Sequence, residues 1–461
     1  VINHDLKRGI DEIAASRDEY DRAETYYKGR QQEIHASRAL AKIFRADVHR
    51  FNVNFSARPV DAVLDRLEVT TVTAMPSSAN SVLTTALWTD NSLDEEIPEI
   101  LKSAAMFGDA YVFVQPDEEG QGVEIWLNDP RQVRVFYDEE NPRRKSYVIK
   151  KWEIQVFSLN GVPETRTRIN LYYPDRTEKY ISRAGGKPED EAAYEPYVDD
   201  TTDEIGVAEN PYGELQWFHF RTERPYGRPE HFNAFDPQDL LTRHIISQVT
   251  ASEFAAGPQR WAIKEASAGT GDNEDDLPED VTAAPHHWNE GSQFESHPGN
   301  VWLTDGIKQF GQFAAAEARN FLEPMAFYVR VMSSVTSTPL HYFDPVGDAP
   351  SGQSLRALEA PLIKKVRARQ VSFGSTLRET LTFALTKILG IAVDQINIHW
   401  ANAQVVEDKD YWDAVNAKIE AGVPRRRALM DAGFTEIEVE SFGYTQAEPN
   451  GPAIEQVPGN G

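Results

Sequence analysis

The sequence of 461 residues contains no cysteine, which removes disulfides, thiolate metal sites and thiol nucleophiles in one step. That absence fits a cytosolic or particle-associated chain. No apolar run is long enough to span a bilayer and no secretory signal pattern is present, so no membrane partner is expected. Cations are also scarce: 47 Lys and Arg stand against 73 Asp and Glu, a formal net charge of −26. Tight general binding to nucleic acid needs the opposite balance, because phosphates are neutralised by surplus positive charge. The acid excess predicts solubility, and mutual repulsion wherever copies assemble. The rest is ordinary for a folded protein: 40% of residues are hydrophobic and 10% aromatic. The length suits about two to four compact units.

Periodicity divides the chain. Ile10, Ile13, Tyr20 and Tyr27 mark one face of a helix over the first thirty residues, stopped by Gly29. ARPVDAVLDRL (57–67) opens a second helix with Pro59 in its first turn. EVTTVTA (68–74) reads as a strand. A helix from Glu95 to Met106 stops at Gly108. AYVFV (110–114), VEIWL (123–127), VRVFY (133–137), SYVIKKWEIQVFSL (146–159), INLYYPD and EKYIS (169–182) then alternate with turn sequences, which predicts an antiparallel meander.

Residues 189–209 hold nine acids and no Lys or Arg, the composition of a solvated loop. Asp236 to Ala256 is a helix, with Asp236 as cap, Pro237 in the first position and Leu241, Ile245 and Val249 in one stripe. Residues 265–295 again hold nine acids and no Lys or Arg, too polar for much core. VWLTD (301–305) reads as a returning strand. A helix follows over Ala314–Val335, striped by Leu322, Met325, Val329 and Met332 and bent at Pro324. A long helix striped by Leu355, Leu358, Leu362 and Val366 runs towards Leu389 with a kink at Pro361. INIHW (396–400) is a strand, residues 408–422 and 424–434 are short helices, and the tail after Tyr444 is expected to be disordered. The fold class is α+β.

Residues 347–354, GDAPSGQS, differ by one letter from a phosphate-binding loop. Gly347, Gly352 and Ser354 have the required spacing, but neutral Gln353 replaces the lysine that reaches the outer phosphates. LHYFDPV before it carries His341, Asp344 and Pro345 and follows a helix, where a buried strand is required. Ser351 as a helix cap is the better account. His286 and His287 are adjacent and lack metal-ligand spacing, and DNEDD (272–276) lacks the glycine and terminal glutamate of a calcium loop. No catalytic, cofactor or metal residues are expected. Basic residues cluster at Arg356, Lys364, Lys365, Arg367 and Arg369, with Glu359 nearby, and again at Arg425, Arg426 and Arg427. Ion pairing to acids of this chain or a neighbour is the first reading of the earlier cluster, and contact with DNA the sharper one.

Taken in order, YYKGRQ, RPVDAVLDRLEV, FGDAYVFV followed by NDPRQVRVFYD, TASEFAAGPQRWAI, SSVTSTPLHYF with SGQSLRALEAPLIKKV, and AGVPRRRALMDAGFT resemble the portal proteins of tailed bacteriophages. The resemblance covers most of the chain and implies a ring-forming fold. Its parts would be a helical and antiparallel-β wing (1–235), stem helices (236–256 and 314–337), a clip (257–313) and a tunnel loop (338–350). A long wing helix and strand (351–403), a crown (404–443) and a disordered tail (444–461) would complete it. It further implies a homo-oligomeric ring, typically of twelve subunits, around a channel for double-stranded DNA. Thr338, His341, Tyr342, Phe343, Asp344 and Asp348 would face the DNA from the tunnel loop. Implied partners are the terminase large subunit, a head-completion or adaptor protein, the major capsid protein and a scaffolding protein. Assembly would occur in the host bacterial cytoplasm and the final location would be the capsid vertex of the virion. The energy for translocation would come from the terminase ATPase, in keeping with Gln353. Rival readings are a nucleotide-binding enzyme built on GDAPSGQS and a monomeric acidic adaptor or scaffold.

Overall fold

The computed structural model of the chain describes residues 4–31, 53–157, 162–198, 205–256, 260–264, 307–312, 319–343, 352–404, 408–431 and 439. Two compact units emerge, one of residues 1–31, 54–235 and 332–461 and the other of 32–53 and 236–331. Helices and antiparallel sheets are mixed throughout, as the α+β expectation requires.

In the first unit α1 (His4–Tyr27) buries Leu6, Ile10, Ile13 and Tyr20. The inward tyrosine near its end is Tyr26, with Tyr27 only half-buried. Helix α2 (Arg58–Leu64) carries Pro in its first turn and leads to β1 (Val69–Met75). Between β1 and the next predicted helix lie α3 (Ser77–Val82) and a π-helical stretch (Leu83–Thr89), neither of which the apolar spacing predicted. Leu83 and Leu87 are buried there at a spacing of four, among threonines that mask the period. Helix α4 (Leu93–Phe107) ends at Gly108, whose φ is 91°.

The strands read as one meander fall into two separate sheets, which corrects that expectation. Strand β2 (Asp109–Pro116) pairs with β3 (Val123–Asn128) on one side and with the late β10 (Trp217–Arg221) on the other. Strands β4 (Val133–Tyr137), β5 (Lys145–Phe157), β6 (Pro163–Tyr172), β7 (Arg176–Ser182) and β8 (Tyr194–Pro196) form the second sheet, and β9 (Val207–Glu209) also pairs with β7. Alternation reveals a strand but not its partner, so WFHFR could not be assigned to β2 from the pattern. The acidic stretch 189–209 is thus partly ordered on the sheet edge, correcting the loop reading.

Helix α7 (Gly352–Phe383) continues through Pro361 and closes in a π-helical stretch (Ala384–Ile388). Leu362, Val366, Phe373, Leu377 and Leu381 enter the main core with α2, α4, β1, β2 and β10. Leu358 is 57% exposed, so the predicted stripe begins later than Leu355. Strand β13 (Gln395–Trp400) pairs antiparallel with β1, and α8 (Asp408–Glu420) and α9 (Arg425–Asp431) follow.

The second unit holds most of two helices and a strand pair. Helix α5 (Phe235–Ala256) begins one residue before the expected cap, so Asp236 lies inside the first turn, favourable to the dipole but not capping. Phe235, Leu241 and Ile246 are buried on it, and Ile245 and Val249 are half-buried. Strands β11 (Arg260–Lys264) and β12 (Ile307–Gln312) pair antiparallel. Helix α6 (Arg319–Thr336) carries Pro324, and His244 approaches Tyr328 at 3.4 Å. Leu322 is 52% exposed and Met325 and Val329 are half-buried, so of the stripe read on α6 only Met332 is fully buried. Residues 301–305, the histidine pair, the acidic run 265–295 and the tail after Tyr444 lie outside the described residues.

Candidate functional site

The segment named as a tunnel loop leaves α6 at Thr336 and rejoins helix at Gly352, and both flanks are fastened by buried charge. Arg66, just after α2, is 8% exposed and spends its donors on three partners. Its Nη2 lies 2.9 Å from Glu359 Oε1 on α7, its Nη1 donates to the Ala403 carbonyl at 2.7 Å, and Tyr342 Oη accepts from Nε at 3.2 Å and Nη2 at 3.0 Å. His341 Nε2 stands 3.5 Å from the same Glu359 oxygen. Nearly two turns further along α7, Lys365 Nζ donates to the Thr336 carbonyl at 3.1 Å and pairs with Glu230 at 2.7 Å. Arg369 donates to the other Glu230 oxygen and to the Thr222 carbonyl. Burial would raise the Glu230 pKa, but Lys365 and Arg369 hold its carboxyl below the usual carboxylate range. The end of α6 and the start of α7 are therefore both tied to the core of the first unit.

This arrangement decides several expected DNA contacts. Thr338 is 1% exposed, and its hydroxyl accepts from Thr336 Oγ1 at 3.1 Å while its carbonyl accepts from Ser333 Oγ at 2.7 Å. Phe343 is 4% exposed and meets Phe55 edge-on at 6.1 Å. Tyr342 packs on the main core with its hydroxyl on Arg66. Thr338 and Phe343 are buried within the protomer, unlike their expected DNA-facing placement, while Tyr342 is half-buried with its hydroxyl on Arg66. His341 is half-exposed. Asp344 and Asp348 lie outside the described residues. Of the basic cluster, Lys365 and Arg369 are committed to Glu230, whereas Arg356, Lys364 and Arg367 are exposed. Arg66 and Glu230 escaped the sequence reading, since each sits among other charges, in DRLEV and RPEHF, with nothing local to mark it as buried.

Gly352 opens α7, and the segment before it is a helix and a short 3-10 turn at Leu340–Tyr342. A phosphate-binding loop follows a buried strand instead. Ser351, the expected cap, lies outside the described residues.

A second buried hub lies between the sheets. Asp109 at the head of β2 is 1% exposed and accepts from Tyr20 Oη at 2.7 Å, the Gly227 N–H at 2.7 Å and His219 Nε2 at 2.8 Å. With Nε2 donating, His219 Nδ1 accepts from Tyr137 Oη at 2.8 Å. Burial opposes charge on Asp109, yet its donors keep the carboxyl below its usual range; burial also keeps the imidazole from charging. Gly108 is required here, since a Cβ would come within 2.6 Å of the Arg228 nitrogen. All hydrogen-bonding atoms of this triad are spent inside the protomer, so it works as a brace joining α1, β2, β4 and β10.

Comparison with known proteins places this architecture. Residues 6–283 match the family model described as phage portal protein, SPP1 Gp6-like. The chain is 28% identical over 386 residues to the portal protein of Mycobacterium phage D29, covering 77% of this chain and 70% of that one. It is also 28% identical over 146 residues to the portal protein of Mycobacterium phage L5, 30% of each chain. A solved neck of a native gene transfer agent particle is similar with a TM-score of 0.41 and 14% identity, over 87% of this chain and 94% of that one. The virion of a native gene transfer agent particle gives a TM-score of 0.41 and 14% identity, over 86% and 93%. Because the family model spans more than half of its length, the chain belongs to the phage portal proteins of the SPP1 Gp6-like family.

Proposed function

We propose that this portal protein forms a ring, of twelve subunits by family pattern, at one capsid vertex of the virion, and that double-stranded DNA is packaged and ejected through its channel. The observation that carries the proposal is the family match over residues 6–283. The division of the chain supports it: residues 236–331 separate as a unit in which two long helices flank a strand pair. That is the order expected of stem, clip and stem. Residues 1–235 then serve as wing, 257–313 as clip, 338–350 as tunnel loop, 351–403 as the long wing helix and strand, and 404–443 as crown.

A net charge of −26 has a use in such a ring. An acidic channel repels the duplex and keeps it sliding, whereas a cationic one would hold it by its phosphates. No chemical step is assigned to the chain; a terminase ATPase docked on the clip supplies the energy, and a head-completion protein takes its place later. The capsid and scaffolding proteins meet the outer rim, after assembly in the bacterial cytoplasm. Negative-stain microscopy with native mass measurement of the purified protein tests this reading. Rings with a hole wider than duplex DNA are expected; a uniform monomer, in the presence of capsid and scaffolding proteins as well as alone, would sink it.

A further inference from the structure

One edge of the second sheet brackets an acidic stretch, residues 197–206, termed the finger. Strand β8 runs along β7 to Pro196 and β9 rejoins it at Val207, with ten residues of sequence between them. Its root is fixed: Tyr197 N–H donates to the Lys179 carbonyl at 2.9 Å, Lys179 N–H to the Gly206 carbonyl at 2.7 Å, and Gly206 N–H to the Tyr197 carbonyl at 2.8 Å. Gly206 has φ of +71°, and a Cβ there would meet the Pro196 Cβ at 2.7 Å, so only glycine fits this bend. Val198 and Ile205 pair across the finger. They are 50% and 70% exposed, and Val207 beside them 53%. The six residues between Val198 and Ile205 read DDTTDE, four of them acidic.

Elsewhere in the same unit lies a pocket of about 570 Å³ with the opposite character. Leu215, Phe218 and Phe383 make its apolar wall, and five cations surround it: Arg143, Arg144, Lys145, Arg378 and Lys387. Glu214 and Glu379 offset only two of these charges, pairing with Lys387 at 2.9 Å and Lys145 at 3.8 Å. Lys145 Nζ is also drawn inward by the Trp217 carbonyl at 3.0 Å and the Phe218 ring at 4.7 Å. Arg378 Nε is held by the Ile396 carbonyl at 2.9 Å. Arg143 and Arg144 are exposed and have no ion-pair partner among the described residues. A surplus of three positive charges in a chain of −26 is an address for an anion, and the apolar wall specifies one with hydrophobic flanks.

We propose that this pocket receives the acidic finger of a second copy of the chain. Four acids between exposed Val198 and Ile205 match a cationic rim over an aromatic wall in both sign and polarity. Val198 and Ile205 are not buried within their own protomer. Two different surfaces meeting in this way form a heterologous contact, which builds a closed ring when the rotation between copies closes. The proposal therefore rests on the ring reading and names one of its contacts. It also explains how subunits of like net charge adhere.

The test uses full-length protein and a synthetic peptide of residues 195–206, followed by fluorescence anisotropy. Saturable binding is expected, weakened at least about tenfold by R143E/R144E, which reverses two exposed charges outside the core. In native mass measurements R143E/R144E and D199K/D200K should each shift the protein to smaller assemblies at moderate salt. The four substitutions together should restore the wild-type distribution. Wild-type rings that neither pair of reversals disturbs, with no peptide bound, would overturn the contact while leaving the portal reading intact. Absence of rings in the wild type would count against the portal reading, and peptide binding would still decide this one.

Discussion

The Asp109 hub and the Glu230 latch each bury a carboxylate, and they hold it by different means. Asp109 is satisfied by a tyrosine hydroxyl, a backbone N–H and a neutral histidine, all on the elements that it braces. Glu230 is satisfied by two formal cations from a helix more than 130 residues downstream. A hub of neutral donors loses hydrogen bonds one at a time when it is damaged. An ion-pair latch leaves bare charge behind when one side is removed, so it fails as a whole. The latch also ties α7 and the Thr336 carbonyl at the end of α6 to Glu230, beside the apolar contacts that seat α7 in the core. The two regions should therefore differ sharply under the same kind of substitution.

The largest effect is expected for E230A. Lys365 and Arg369 would be left partly buried without their anion, a loss of about 3–5 kcal/mol by analogy with broken buried pairs. Urea unfolding monitored by tryptophan fluorescence measures it, and a loss near that of a surface substitution would mean that the latch is dispensable. Smaller is the effect of acid through its neighbour His231. That side chain is 0% exposed and donates from Nε2 to the Ala23 carbonyl at 2.8 Å. Burial lowers its pKa from 6.5 to about 4. The unfolded chain then binds a proton between those values that the folded chain does not. Stability is complete above pH 6.5 and falls as the pH drops towards 4, by about 3 kcal/mol at 1.4 kcal/mol per pKa unit. Glu230, with its pKa depressed, acts in the same direction, since its contribution fades as the pH falls through its folded value. H231Q keeps a donor for Ala23 and cannot titrate, so it should flatten the decline between pH 6.5 and 4; an unchanged slope would assign it elsewhere.

The hub gives the milder outcome. D109N keeps the shape of the side chain and loses charge-assisted acceptance from Tyr20, Gly227 or His219, costing about 1–3 kcal/mol. If D109N proved costlier than E230A, the contrast between neutral brace and ionic latch would be broken.

The same contrast explains what could be read in advance. Helices with strong periodicity were legible: α1, α4, α5, α7 and the pair α8 and α9 appear close to their expected bounds. Gly108 as a stop and EVTTVTA as a strand were legible because local geometry forces them. The partner of β2 was not, since any antiparallel neighbour satisfies the same alternation. Nor was the latch, because Arg66, Glu230 and Lys365 lie far apart in sequence and carry ordinary surface charges until the fold assembles them. Thr338 and Phe343 were placed in a loop by their position in the resemblance, yet both are buried on either side of the short turn at Leu340–Tyr342.

Adjacent lysines on α7 give the finest resolution of the difference. Lys364 is exposed, without an ion-pair partner among the described residues, while Lys365 reaches Glu230 and the Thr336 carbonyl. One helical step of 100° separates solvent from latch. K364E should leave urea stability within about 0.5 kcal/mol of wild type, as an exposed change away from buried features does. K365E would bring a second carboxylate against Glu230 and release the end of α6, so it should unfold at distinctly lower urea. Any effect of K364E on assembly then reports a contact with another chain, free of a folding defect. An assembly defect confined to K365E would instead follow from the loosened loop root, and the basic face of α7 would have no part in joining subunits.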